Sequence, residues 1–236
     1  MFIEAGLFQP LKVFIACEAS GVVRNAFLER GHDAWSCDLR PSEDGSNRHI
    51  TGDARDYLRE GWDLMMVAHP PCTRLCNSGV RWLSEPPPGK TLEQMWAELD
   101  EGAALFSDFW TAPIGRICVE NPVMHKHAKA RIRGYQDFAQ SVQPWEFATD
   151  ENSPDNVKKR TCFWLRGLPV LRPTGTLDGS TARAEVHTAS PGPDRWKERS
   201  RFYKGIADAM ADQWGSLPPL PADQPPISAY SQMQLF

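Results

Sequence analysis

The sequence predicts an α/β protein with a largely parallel sheet. Three observations carry this. Apolar runs of strand length recur along the chain. Segments with helical spacing separate them. A polar or proline-containing turn follows the carboxyl end of run after run. The chain has 236 residues, enough for one sizeable domain with a small appendage.

The elements follow in order. LKVFIAC (11–17) is an unbroken apolar run and reads as a buried strand. EASG makes a turn, and VVRNAFLERG (22–31) has helical spacing with Gly31 as its stop. HDAWSCD (32–38) is a second strand ending on Asp38. HITGDARDYL (49–58) reads as a short strand, a turn at Gly52-Asp53 and the start of a helix. WDLMMVA (62–68) is the next strand and SEPPPGK (84–90) a loop. TLEQMWAELDEGAALFSDFW (91–110) is a long amphipathic helix. IGRICVENP (114–122), VQPWEFA (142–148) and KRTCFWLRGL (159–168) read as three further strands. RFYKGIADAMADQWG (201–215) is a last helix, and the Pro-rich segment from Ser216 reads as an extended tail.

Composition excludes little: 41% hydrophobic and 24% charged residues are ordinary for a globular chain. No apolar run reaches the roughly 20 residues a membrane span needs, and the amino-terminal segment lacks the form of a signal peptide. Six dispersed cysteines suit a reducing cytoplasm. They show no zinc spacing, so no metal is expected. The net charge is −4, yet basic residues cluster. Arg116, Lys126, Lys129, Arg131 and Arg133 face one acid, Glu120, over 116–133. Arg183, Arg195, Lys197, Arg199, Arg201 and Lys204 face three acids over 183–204. An acidic chain can still present a basic groove to a polyanion.

In parallel sheets, ligands bind beyond the carboxyl ends of the strands. Four polar clusters fall there: Glu18-Ala-Ser20-Gly21, Asp38, Pro70-Pro71-Cys72 and Glu120-Asn121-Pro122. Two prolines cannot extend a sheet, but they stiffen the backbone that presents Cys72. Cys17, Cys37, Cys118 and Cys162 sit within apolar runs and read as core. Cys72 instead has Pro71, Thr73 and Arg74 as neighbours, a setting for a nucleophilic thiol; Cys76 is open between the two. A carboxylate at Glu120 would be desolvated enough to act as an acid, or else simply end a strand. Asp38 stands where an acid accepts ribose hydroxyls. Gly21 would allow close backbone approach, and Asp53 is either an adenine partner or a turn residue.

Taken together, the Gly-containing turn, strand-end acid, Gly-Asp turn, AHPPC, VENP and KKRTC, in this order, resemble the DNA (cytosine-5-)-methyltransferases. The likeness covers roughly residues 11–170 and the last helix. It is closest to compact members encoded by phages and prophages. It implies a Rossmann-like S-adenosylmethionine-dependent methyltransferase fold with helices on both sheet faces and a much reduced target-recognition region. The implied division is a catalytic core over 1–168, a reduced recognition insert over 169–200, a closing helix over 201–215 and a tail over 216–236. The implied reaction is methyl transfer to cytosine C5 through a covalent bond between Cys72 and C6. Glu120 would hold N3 and the exocyclic amine, and Arg160 would contact the base. Glu18, Ser20, Gly21, Asp38, Leu39, Asp53, Ala54 and Pro70 would bind S-adenosylmethionine. Pro71, Asn121, Pro122 and Lys158 would contact the substrate. The implied partner is DNA, duplex or single-stranded, with a flipped cytosine if duplex. The implied setting is a bacterial cytoplasm, where a phage masks its DNA from restriction.

The chain departs from the family's pattern at several positions. Glu18 stands where small residues are usual, His69 precedes the two prolines, and Thr73 follows Cys72. The later segment keeps one arginine, Arg160, with Lys158 and Cys162 at the neighbouring places. The interval 169–200 is too short for a large recognition domain, so either sequence specificity is low or very short, or a protein partner supplies it, or the substrate is a nucleotide or single strand. Two alternatives stand beside this expectation. One keeps the fold but acts on a nucleotide or RNA, or transfers another group. The other is an inactive methyltransferase-like module that binds DNA or a partner.

Overall fold

In the computed structural model, β1 (Lys12–Ala16) begins a parallel set with β2 (Asp33–Asp38), β3 (His49–Thr51), β4 (Leu64–Val67) and β5 (Arg116–Asn121). β7 (Thr161–Arg166) runs antiparallel to β5, and β6 (Gln140–Val142) antiparallel to β7. The seven strands lie in the order β3-β2-β1-β4-β5-β7-β6. The structure describes residues 9–68, 70–184 and 202–220.

The apolar runs form strands buried on both faces, which is why they do not alternate. Val13, Ile15, Leu64, Met66, Cys118 and Phe163 point to one face. There they pack against Val23 and Phe27 of α1 (Val22–Glu29) and Ile206, Met210 and Trp214 of α4 (Lys204–Gly215). Phe14, Ala16, Met65, Val67, Ile117, Val119 and Trp164 point to the other face. They meet Met95, Leu99, Phe106 and Phe109 of α2 (Leu92–Trp110). α2 starts where the sequence places it, on a capping box in which Thr91 accepts from the Gln94 N–H and the Gln94 side chain accepts from Thr91 N–H. α1 and α4 are tied by ion pairs from Arg30 to Asp208 and Asp212. No helix among the described residues is long and apolar enough to cross a membrane.

Several boundaries differ from expectation, each for a local reason. The run 142–148 is not one strand. β6 stops at Val142, because Pro144 cannot donate to a ladder and instead opens a 3-10 turn, Pro144–Phe147, over which the Gln143 N–H donates to the Glu146 carboxylate at 2.6 Å. The helix expected after β3 is a single 3-10 turn, Ala54–Tyr57, capped by Asp53. A 3-10 helix, Asn77–Leu83, and the short helix α3, Lys126–Lys129, follow the two polar strand ends without having been expected. The last helix begins at Lys204 rather than at residue 201. The insert is described only to residue 184 and the tail only to residue 220, so Arg195, Lys197, Arg199, Arg201 and most of the tail lie outside the described residues, as does His69.

The basic cluster over 116–133 is not a continuous groove. Arg116 is buried and donates to the Pro218 carbonyl. Lys129, Arg131 and Arg133 pair with Asp137, Asp100 and Asp108.

Candidate active site

The carboxyl ends of β1 to β5 and the amino end of β7 lie along one edge of the sheet. The β-order reverses there, between β1 and β4, the place where a crevice opens in such sheets.

The β1 side comes first. The β1–β2 ladder extends one bond past the strand, Glu18 N–H to the Cys37 carbonyl at 3.1 Å. Cys17 makes this turn with φ of 57°, the only positive φ at a non-glycine among the described residues. Such a conformation costs an L-residue on the order of 1–3 kcal/mol and tends to collect at functional sites. The Cys17 thiol is pushed up by burial and by the neighbouring Asp38, Cys37 and Asp53. The Cys17 side chain packs against the core, as its apolar run implies; what that run does not show is the sharp turn directly after β1.

Glu18 is fully buried and caps α1: its oxygens accept from Val23 N–H at 2.7 Å and Arg24 N–H at 3.1 Å. Burial outweighs these donors and raises its carboxyl to about 7. Ser20 lies beside it, 3.5 Å from Oε1. Gly21 has φ of 74°, and the space a Cβ would take is filled by the Arg24 guanidinium, itself paired with Asp44. Gly21 therefore serves the helix start, and its open side is taken by the chain itself.

At the end of β2, Asp38 Oδ1 accepts from the Arg40 N–H at 3.0 Å and from Arg40 Nε at 3.1 Å. Leu39 beside it is 77% exposed, the most exposed large apolar side chain among the described residues. Asp53 accepts from the Arg55 N–H and side chain, which hold its carboxyl below the usual range. Ala54 is buried in the core beneath that turn, so only its backbone faces outward. Pro70 is buried and Pro71 exposed.

Cys72 starts a single helical turn. Its carbonyl accepts from Leu75 N–H at 2.9 Å and from Cys76 N–H at 3.0 Å, which brings the two cysteine side chains to the same side. The loop is then laced to the segment that leaves β5. Asn77 N–H donates to the Val123 carbonyl at 3.1 Å, and His125 N–H donates to the Leu75 carbonyl at 3.0 Å. A His125 ring nitrogen also lies 2.8 Å from the Arg74 carbonyl. Arg74 pairs with Glu98 of α2. Gly79 permits the final contact, since a Cβ there would sit 2.0 Å from the Thr73 carbonyl oxygen. These bonds fix Cys72 near Glu120, whose charge reaches both Cys72 and Cys76.

Burial raises Glu120 to about 7, against the opposing field of Lys159. Lys159 is thus the cation that faces Glu120. It was missed in the sequence, although period-2 counting finds it: Glu120 pairs with Phe163, and Thr161 and Lys159 follow on the same face. Arg160 falls on the other side, held by Ser141 Oγ at 3.0 Å and near Cys162. Lys158 is exposed and its N–H donates to the Arg183 carbonyl at 2.7 Å. Asn121 is fully buried, and neither its Nδ2 nor its Oδ1 finds a partner. Pro122 is half-buried beside it. Buried amides without partners are rare in folded chains, and this one sits at the end of β5 directly after Glu120.

The edge therefore brings together an acid with an exposed apolar side chain on the β1–β2 side, and a thiol pair with a partly protonated carboxylic acid on the β4–β5 side. No protein-family model matches the chain, and no curated protein matches it.

Proposed function

We propose that the protein is an S-adenosylmethionine-dependent DNA cytosine-C5 methyltransferase. The observation that carries this is the meeting of Cys72 and Glu120 at the edge beyond β4 and β5, with the carboxyl of Glu120 raised to about 7. An acid half-protonated at neutral pH can donate to a ring nitrogen and then bear the negative charge. Neighbouring Cys76, burial and the Glu120 charge push the Cys72 thiol up, so it must lose its proton before its sulfur adds to an electron-poor ring carbon.

The chain's residues support a division of labour. Cys72 forms a bond from sulfur to cytosine C6, and the electron pair displaced from the C5–C6 bond moves toward N3. The Glu120 proton stabilises the charge at N3. Addition makes C5 nucleophilic, which the aromatic ring alone is not. When the C5 proton later leaves to a base, the Cys72–C6 bond breaks, the aromatic ring returns, and the thiolate is restored. Lys159 limits how far Glu120 rises, so that the acid releases its proton at neutral pH.

S-adenosylmethionine supplies an electrophilic methyl group when bound. The edge residues fit it: Asp38 suits ribose hydroxyls, exposed Leu39 the face of an adenine, and the Cys17 turn a close backbone approach. Glu18, Ser20 and Gly21 support this pocket by holding the start of α1. Asp53 reaches an adenine amino group only by exchanging its bonds to Arg55. On the substrate side, Arg160 and Lys158 lie at the amino end of β7 and suit phosphates or the base edge, and the unpartnered Asn121 amide suits a polar contact.

The test is transfer of labelled methyl from S-adenosylmethionine to duplex DNA, single-stranded DNA, RNA and dCMP, followed by digestion to nucleosides. Label in 5-methyldeoxycytidine from DNA is expected. Label in RNA or dCMP alone would replace DNA as the substrate, and no label in any of them would contradict the proposal.

A further inference from the structure

We propose that Arg81 and Lys126, together with Lys158 and Arg160, hold the phosphates of a DNA strand across the Cys72 loop, whatever its base sequence. This deepens the reading above and rests on DNA being the substrate. Most cations around the loop are spent on the chain itself. Arg74 and Lys90 share Glu98, Lys129 pairs with Asp137, Arg131 with Asp100 and Arg133 with Asp108. The Arg116 and Arg183 guanidinium groups donate to backbone carbonyls. Four cations differ. Arg81, Lys126, Lys158 and Arg160 are exposed, and none has a carboxylate partner among the described residues.

These four flank one place. Arg81 lies in the Asn77–Leu83 helix, which starts directly after Cys76. Lys126 opens α3, directly after the segment 123–125 that is laced to the Cys72 loop. Lys158 and Arg160 precede β7, whose Cys162 pairs with Asn121 at the end of β5. Cations without acid partners therefore stand on both the loop side and the β7 side of the strand end that carries Glu120. Two of them are also held ready for an oxyanion. The Arg81 guanidinium lies over the Trp82 ring, 4.1 Å from its centroid. Arg160 lies over Phe138 at 5.9 Å, and its Nε donates to Ser141 Oγ at 3.0 Å. A guanidinium stacked on a ring keeps N–H groups at its edge while its position is set, which suits donation to a phosphate. The loop adds exposed Thr73 and Asn77, uncharged side chains that also donate to phosphates. Phosphate contacts fix register and carry no base information, so these residues place a strand over Cys72 rather than choose its sequence.

The experiment follows binding of the full chain to short fluorescent DNA by anisotropy over a range of salt, without S-adenosylmethionine. Duplex and single-stranded forms of two unrelated sequences are compared. Four phosphate contacts predict a loss of affinity of about 10²-fold between 50 and 200 mM salt. Arg81→Gln, Lys126→Gln, Lys158→Gln and Arg160→Gln should each flatten the slope of log affinity against log salt by about one and weaken both sequences alike. Arg133→Gln removes the same charge from a cation already paired with Asp108 and should leave the slope unchanged. Flattening with the duplex assigns the grip to a duplex backbone, and flattening confined to the single strand assigns it to an open strand. Unchanged slopes in Arg81→Gln and Lys126→Gln would overturn the proposal, as would an equal loss in Arg133→Gln or no binding to either DNA. Binding is read apart from methyl transfer. Methylation of DNA with unchanged slopes in the variants would remove this inference alone, and binding through these cations with no methyl transfer would remove the proposed activity alone.

Discussion

Asp38, Lys159 and Cys72 each make a claim that a single substitution can test. The Asp38 carboxylate is already oriented by two bonds from Arg40, so it would meet the ribose of the proposed cofactor without further ordering. Asp38→Ala should weaken S-adenosylmethionine binding about tenfold or more, the scale of a hydrogen bond to a charged group. Unchanged affinity by calorimetry would remove Asp38 from the site. Lys159 lowers the Glu120 carboxyl from where burial alone would put it. Lys159→Met should therefore raise Glu120 further and move the alkaline limb of kcat/KM upward from its expected place near pH 7. A limb that stays in place or moves down would show that another group is titrating. Cys72→Ser should abolish turnover and leave cofactor affinity intact; retained turnover would rule out Cys72 as the nucleophile.

Elements, more than single side chains, hold the site together. The loop 72–79 stays in register with residues 123–125 only because Gly79 lets the Thr73 carbonyl lie against it. Gly79→Ala should thus lower methyl transfer at least about tenfold, because near-attack geometry tolerates little displacement. Its melting temperature should fall as well, because a backbone carbonyl must move to admit the Cβ, while cofactor affinity should stay close to wild type; a variant with full activity would show that the loop is not what fixes Cys72. The sequence made β1, β2, β4, β5, α1 and α2 legible, because buried parallel strands read as unbroken apolar runs and Thr91 and Gln94 spell a capping box. It did not make the loop's own structure legible. The Asn77–Leu83 helix starts where Asn77 N–H donates to the distant Val123 carbonyl, just after Leu75 accepts from the distant His125 N–H, and its remaining turns are short-range without hydrophobic period; neither leaves a local pattern. Pro144 was the readable signal that 142–148 is not one strand. Candidate residues at strand ends were legible for the same reason the strands were. The side each one faces was legible only after pairing with β7 fixed the register, which separates Lys159 from Arg160.

The molecule as a whole carries two buried acids raised to about 7, Glu18 under α1 and Glu120 at the end of β5. Both take up protons more readily folded than unfolded, where their value is near 4.5. Between those values the native state binds more protons, so stability falls as pH rises through this window and the contribution is gone above about 7. The loss is on the order of 1–3 kcal/mol per group. Glu18→Gln and Glu120→Gln should each flatten the pH dependence of urea unfolding between pH 5 and 8; equal slopes in all three proteins would mean that neither acid is neutral in the native state. The two faces of the sheet and the ties between α1 and α4 build the scaffold, and one edge of it carries the chemistry. The bond from Cys72 to a cytosine ring is the decisive step of the proposed reaction. It is tested by incubating the protein and S-adenosylmethionine with DNA containing 5-fluorocytosine, whose fluorine cannot leave as a cation in place of the C5 proton. The trapped complex is then digested and the attached residue identified by mass spectrometry. The account predicts a stable adduct of a methylated fluorocytosine on Cys72, absent in Cys72→Ser. No adduct under conditions where S-adenosylmethionine binds, or an adduct on another residue, would contradict it.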